Sequence, residues 1–225
     1  MDAGEPSPPG DGAAAGRLLV LGTTEFSATV AVSAEVAGFR VAGFVENLSR
    51  ARCGETLDGL PIHWVDELRE LAPTHVGIGG LGTTRRRAFV EEAARHGLAF
   101  ARVVHPTASV GPGVELGDGC YVGPKAVIGG ATRIGRHALV LQGSLVGSGT
   151  DVGEYASLLM GANVGSACTI GERAYVATGA VVADGVRVGS RAIVGAGAVA
   201  EEDVPDRVKV LGVPARVVEE GVDGR

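Results

Sequence analysis

From Ala108 to Asp203 a six-residue pattern of apolar and small positions repeats sixteen times without a break. The third residue of each hexad is Val, Leu or Ile in all but the last, where it is Ala200, and the first is mostly Ala, Ser, Thr or Cys. Gly follows the aliphatic residue in eleven of the sixteen hexads, as expected where a side chain would crowd a corner. Such a repeat predicts a parallel β-helix. Three short hexad strands make one triangular coil, residues eighteen apart stack, and the aliphatic third residue fills the interior. A little over five coils give a prism on the order of 25 Å long at the roughly 4.8 Å inter-strand spacing.

Upstream the period changes. RLLVLG (17–22) reads as a buried parallel strand, 27–38 as a helix ending at glycine and 39–46 as a second strand. A strand over 60–65 leads into a helix from Asp66, followed by a strand at 75–80, a helix through 85–97 and a strand at 98–104. This alternation predicts a small Rossmann-like parallel sheet. The division expected is therefore a disordered Pro/Gly/Ala-rich tail over 1–16, a Rossmann-like α/β domain over 17–104, a β-helix over 105–203 and a tail over 204–225.

Composition narrows the function classes. A net charge of −6 disfavours nucleic acid as a general partner. No apolar run approaches the ~18 residues that span a bilayer, so no membrane partner is expected. Cys53, Cys120 and Cys168 are odd in number and lack metal spacing, which together with a start lacking a basic apolar signal segment reads as a reduced cytoplasmic protein. His137 is the single histidine within the hexads, so a metal enzyme of this architecture, as in the γ-class carbonic anhydrases, is disfavoured and no metal is expected.

In a sheet of this kind a ligand sits at the carboxyl ends of the strands, here Gly22–Ser27, Glu46-Asn47 and the GGLGTT turn. The first turn, G-T-T-E-F-S, lacks repeated glycines, and Glu25 puts a negative charge at a helix N-terminus, against a phosphate. Thr24 is equally well read as an N-cap. The turn from Gly79 to Arg87 combines glycines, hydroxyls and cations and is the better anion candidate, beside the alternative of a solvated arginine-rich helix face.

A Rossmann-like domain joined through HPTASV to a hexapeptide β-helix that ends in DVP and VLGVPAR resembles the bacterial sugar O-/N-acyltransferase family, which includes sialic acid O-acetyltransferase-like proteins. The resemblance covers about 17–218. It implies a left-handed β-helix, a homotrimer, acetyl-CoA or a longer acyl-CoA as donor in the groove between neighbours, and a small-molecule acceptor held partly by the first domain. An acyl carrier protein is the alternative donor.

In that family a His takes the acceptor's proton and an adjacent acid orients it. The matching positions here are Ser148 and Gly149, and the Asn usually found upstream is matched by Leu141. The resemblance therefore locates a transfer site that has lost its base. Candidate substitutes are His137, Asp151, Glu154 and Tyr155, each weighed against a solvated corner residue, and Asp184 on a further turn. Arg136 and Glu154 stack eighteen apart and are expected to form a surface pair.

By the same matching, Gly143, Gly161, Gly179, Ala180, Gly197, Gly212 and Pro214 line the CoA groove. Thr23, Thr24, Glu46, Asn47, Gly82, Thr83, Leu141, Leu159 and Met160 are the acceptor candidates. Leu141, Leu159 and Ala177 break the glycine position at intervals of eighteen, with Gln142, Met160 and Thr178 beside them, so this column is expected to be apolar, either as a pocket or as packing between subunits. The expected activity is acyl-CoA-dependent transfer to an amine or hydroxyl of an acceptor other than a standard nucleotide sugar. The alternative is a trimeric scaffold or ligand-binding protein without transfer activity.

Overall fold

A computed structural model describes residues 17–225; the expected tail over 1–16 lies outside the described residues. The hexads wind as parallel coils with a register of eighteen, for example Tyr121 against Leu139 and Leu139 against Ser157. Third-position side chains from Val122 to Ala200 form one continuous buried core with the small first-position residues, and Val110 and Leu116 close its end. Buried first-position hydroxyls are satisfied internally: Thr132, Ser144 and Thr150 donate to the carbonyls of Gly147, Leu159 and Gly165 at 3.1, 2.8 and 2.9 Å.

The corner glycines have a steric reason. A Cβ on Gly153 would stand 2.7 Å from the Glu172 amide nitrogen of the next coil. Two residues further along each corner the chain takes a left-handed conformation, which His137 and Tyr155 adopt at φ 56° without being glycine.

The prism has three unlike faces. One, made by Val103–Val104, Tyr121–Val122, Leu139–Val140, Ser157–Leu158, Tyr175–Val176 and Ile193–Val194, carries the first unit of the chain. The second, from Ser109–Val110 to Val199–Ala200, turns Val127 and Leu145 outward at 40% and 42% exposure. The third, from Glu115–Leu116 to Arg187–Val188, is charged, with Arg133 between Glu115 (3.1 Å) and Asp151 (3.2 Å).

The coil runs past both expected limits. Val103–Val104, read from the sequence as the end of a strand in the first sheet, already pairs with Tyr121-Val122 as a rung of the β-helix. At the other end Val204 bridges Val188, and Val208–Leu211 adds a further parallel rung before Arg216–Glu220 returns antiparallel to it.

The first unit is an open sheet in the order β3-β4-β2-β1-β5-β6. Its strands are β1 (Arg17–Leu21), β2 (Val41–Glu46), β3 (Thr56–Leu57), β4 (Leu60–Trp64), β5 (His75–Gly79) and β6 (Ala99–Phe100). All pairings are parallel except the β3–β4 hairpin. The helices are α1 (Glu25–Val36), a single turn α2 (Leu68–Leu71) and α3 (Arg86–Arg95). Helix α1 begins two residues earlier than the apolar period suggests because Thr24 and Ser27 form a reciprocal capping box.

Two contacts dock this unit on the coil. Leu18, Val20, Val30 and Ala34 pack with Tyr121, Leu139 and Leu141, and the Tyr121 hydroxyl donates to Ser33 Oγ at 2.8 Å. On the other side Arg86 is 1% exposed and its guanidinium enters the coil surface. It donates to the carbonyls of His137 (2.7 Å), Tyr155 (2.8 Å), Ala156 (2.9 Å) and Thr83 (2.8 Å) and to Ser157 Oγ (2.8 Å). Burial pushes its pKa down to about 9, so it remains charged at neutral pH, solvated by neutral acceptors alone.

Candidate functional site

The carboxyl ends of β1, β2 and β5 converge, as the strand order requires. Thr23 Oγ1 donates to Glu46 Oε2 at 2.5 Å, and Arg52 Nη1 donates to Thr23 Oγ1 at 2.6 Å and to its carbonyl at 2.9 Å. Glu46 Oε1 accepts the backbone N–H groups of Asn47 (2.9 Å) and Leu48 (2.7 Å). Burial alone would raise the Glu46 pKa, but the Thr23 hydroxyl and the amides of Leu48, Asn47 and Ser49 outweigh it and hold the carboxyl below its usual range. Asn47 Nδ2 donates to Glu92 at 2.7 Å.

Four acceptor candidates thus lie on one edge, with Thr23 and Glu46 already bonded to each other and Thr24 engaged as a cap. Gly82 lies against the Phe26 ring. Thr83 and Thr84, in the turn read as an anion candidate, hold a main-chain oxygen of the same chain: the amide (2.6 Å) and hydroxyl (2.8 Å) of Thr84 and the hydroxyl of Thr83 all donate to Arg225 O.

The corners of the prism sort the remaining candidates. Gly143, Gly161, Gly179 and Gly197 stack on the corner between the docked face and the apolar face, all with φ between 65° and 67° and open space where a Cβ would stand. Ala180 is fully buried in the interior behind them, so its methyl cannot line a groove. Gly212 and Pro214 follow the last coil strand and are exposed.

The apolar column on that corner is covered within the chain at one end and open at the other. Leu141 is 4% exposed under the first sheet, Leu159 is half-buried against the same cluster, and Met160 is exposed. The acceptor assignment of Leu141 is corrected accordingly.

Ser148 and Gly149 occupy the opposite corner of the apolar face, between it and the charged face. Both are exposed, and the Ser148 side chain makes no hydrogen bond among the described residues. Asp184, thirty-six residues on along the same corner, is engaged with the Ser166 amide at 2.6 Å. Asp151 lies on the adjoining strand, paired with Arg133.

His137, Glu154 and Tyr155 stand on the third corner, so they do not surround Ser148. Nor are His137 and Tyr155 the solvated residues expected: they are 3% and 7% exposed, stacked at 4.9 Å, with Phe100 edge-on to His137 at 4.7 Å. With Arg87, Glu91, Leu98 and Arg136 they line a cleft of ≈ 570 Å³ beneath α3. The expected Arg136–Glu154 pair is not formed among the described residues; Arg87 bridges to Glu91 and Glu172 instead, each at 2.6 Å.

Burial, followed by the charges of Arg136 and Arg86 and against the opposite pull of Asp118, pushes the His137 pKa down to about 4. A base that weak is neutral and poorly suited to take a proton at neutral pH. It also has a stability consequence. The unfolded chain takes up the proton near pH 6.5 and the folded chain only near 4, so stability present above pH 6.5 is lost as pH falls towards 4, by about 2–3 kcal/mol. Thermal melts of wild type and His137→Asn between pH 7.5 and 4 check this. The variant, which tolerates the left-handed backbone, should show the shallower pH dependence.

Among the described residues no group of three or more His, Cys, Asp or Glu side chains is placed to hold a metal ion, and no helix is long and apolar enough to cross a membrane.

An α/β sheet seated on a hexapeptide β-helix defines a hexapeptide-class acyltransferase, and comparison with known proteins agrees. The profile of the family described as GMPPB C-terminal domain matches residues 101–204. No curated protein matches the chain. Among solved structures it is similar to a histidine-to-asparagine mutant of perosamine N-acetyltransferase from Caulobacter crescentus in complex with CoA and GDP-perosamine. The TM-score is 0.85 and the identity 30%, over 91% of this chain and 98% of that one. It is also similar to the acetyltransferase domain of PglB from Neisseria gonorrhoeae in complex with acetyl coenzyme A, at TM-score 0.83 and 26% identity over 91% and 100% of the two chains. WeeI from Acinetobacter baumannii shares the fold, at TM-score 0.82 and 24% identity over 90% and 99%. The chain belongs to the bacterial sugar acyltransferase family built on the left-handed hexapeptide β-helix.

Proposed function

We propose that the chain transfers an acyl group from acetyl-CoA or a longer acyl-CoA to the amine or hydroxyl of a small-molecule acceptor in a biosynthetic pathway, acting as a homotrimer. The observation that carries this reading is the open column of Gly143, Gly161, Gly179 and Gly197, an unobstructed backbone edge on which an extended pantetheine chain would lie. The glycine column and Ser148 lie on opposite edges of one apolar face. A single groove containing both therefore needs the glycine edge of one copy beside the Ser148 edge of another. Exposed Val127 and Leu145 between them supply an apolar surface for that contact.

The first unit is read as a Rossmann-like acceptor domain, with Thr23, Asn47 and Gly82 at its carboxyl edge. Exposed Glu25 beside the cap of α1 disfavours a diphosphate there, which supports an acceptor other than a standard nucleotide sugar. In the transfer the acceptor attacks the thioester carbonyl, the CoA thiolate leaves, and the acceptor's proton passes to a base. Ser148, an unactivated hydroxyl, is not that base, and orientation of the reactants carries most of the acceleration. Three free thiols fit a reducing cytoplasmic setting.

A second reading follows from the exposed, unpartnered Ser148: a trimeric binding protein that uses the groove without transfer. Thermal melts with acetyl-CoA and longer acyl-CoAs test the donor site. At a hundredfold excess over Kd the protein should gain about 2.7 kcal/mol and melt higher. No shift with any CoA thioester would sink the proposed function, while a shift without transfer to any amine or alcohol would favour the binding protein.

A further inference from the structure

Residues beyond the strand Arg216–Glu220 run across the coil towards the first unit. The amide of Val222 donates to Arg207 O at 3.0 Å and that of Gly224 to Arg191 O at 3.0 Å, so this segment hydrogen-bonds to successive corner residues. The Asp223 carboxylate lies among three guanidiniums stacked on that corner: Arg173 at 3.0 Å, Arg191 at 3.5 Å and Arg207 at 3.6 Å. Arg173 also donates to the Asp223 carbonyl at 3.2 Å.

One residue beyond Gly224, the segment leaves the coil. Arg225 N donates to Thr84 Oγ1 at 2.9 Å, Arg225 O accepts from the Thr84 amide and both threonine hydroxyls, and the Arg225 guanidinium lies over the Tyr175 ring at 5.6 Å. Thr83 and Thr84 end the loop that leaves β5 and carries Gly82. Gly224 is required by the fit, because its φ is +65° and a Cβ there would stand 2.9 Å from Arg173 O.

We infer that residues 221–225 form a strap that fixes the β5–α3 loop to the β-helix, and that Asp223 is its latch and a positioning residue for the acceptor. The effect on the acceptor rests on the reading above that this loop belongs to the acceptor edge. The strap crosses a different corner from the glycine column, so its release loosens the acceptor loop and leaves the acyl-CoA edge untouched.

The test uses full-length Asp223→Ala, Asp223→Glu and Gly224→Val. The first readout is amide hydrogen exchange at Thr84 and Arg85, which needs no substrate. Asp223→Ala and Gly224→Val should accelerate it at least about fivefold, and Asp223→Glu should restore most of the protection. The second readout is the acceptor KM, expected to rise about fivefold in the same two variants while kcat and the KM for acyl-CoA stay within about twofold. Unchanged exchange in both variants overturns the strap. Faster exchange with an unchanged acceptor KM overturns its positioning role. A wild-type protein that transfers to no acceptor overturns the proposed function instead, and the exchange comparison then decides the strap alone.

Discussion

Replacing Ser148 by His and Gly149 by Asp should raise turnover with a true acceptor by about 10²-fold, within the 10²–10⁴ range that a positioned general base contributes. Both positions can receive the change. Ser148 is exposed, and at Gly149 an added Cβ meets nothing within 4 Å. The backbone at Gly149 has φ 68°, a left-handed conformation that Asp adopts more readily than most residues. Single-turnover rates of CoA release, compared between wild type and the double variant, measure the effect. Unchanged turnover would mean that another group already takes the proton and that the transfer site at Ser148 is misassigned.

Removing Arg86 should be the most damaging single change to stability. Arg86→Met fills similar volume but leaves the His137 and Tyr155 carbonyls and the Ser157 hydroxyl without a donor in a buried interface, while the Thr83 and Ala156 carbonyls keep only a main-chain N–H. A loss of about 3–5 kcal/mol follows, or roughly 10 °C in Tm for a chain of this size. Arg86→Lys keeps the charge but has one ammonium for five acceptors and should fall between the two. A melt of Arg86→Met within a degree or two of wild type would show that the interface is held by its apolar contacts alone.

That arginine illustrates what can and cannot be read from a sequence. The run Arg85-Arg86-Arg87 reads as a solvated face when charge is considered alone. Helical spacing carries the contrary signal, because Arg86, Phe89, Val90 and Ala93 follow the i, i+3, i+4, i+7 pattern and all four are buried. What the pattern lacks is the acceptor set, four of whose five members are coil residues fifty-one to seventy-one positions away. The hexads, by contrast, were legible almost residue by residue, since each third position has one physical task and repeats it.

The coil outside the hexad run was not legible. Val103–Val104 lies six residues before Ser109–Val110 and pairs at the usual eighteen, but its hexad, RVVHPT, opens on Arg102 and has no corner glycine, whereas Val208–Leu211 pairs at sixteen and leaves the period. His137 and Tyr155 share a column by their spacing, but whether a corner side chain is solvated depends on what covers it, and here α3 covers it. Leu141 and Leu159 likewise signalled an apolar surface, but their spacing does not show that residues of the first unit, on its sheet and on α1, pack against them. The Asp223 latch gave no local signal, because it gathers three arginines spaced along successive coils.

The central claim is that an acyl-CoA lies along the glycine corner with its sulfur at Ser148 of a neighbouring copy. A crystal structure of the full chain with CoA tests this directly. The account predicts three copies around a threefold axis, pantetheine running past Gly143, Gly161 and Gly179, and the thiol directed at the Ser148-Gly149 corner. CoA bound elsewhere on the coil, or a glycine corner buried without ligand in a different assembly, would contradict it.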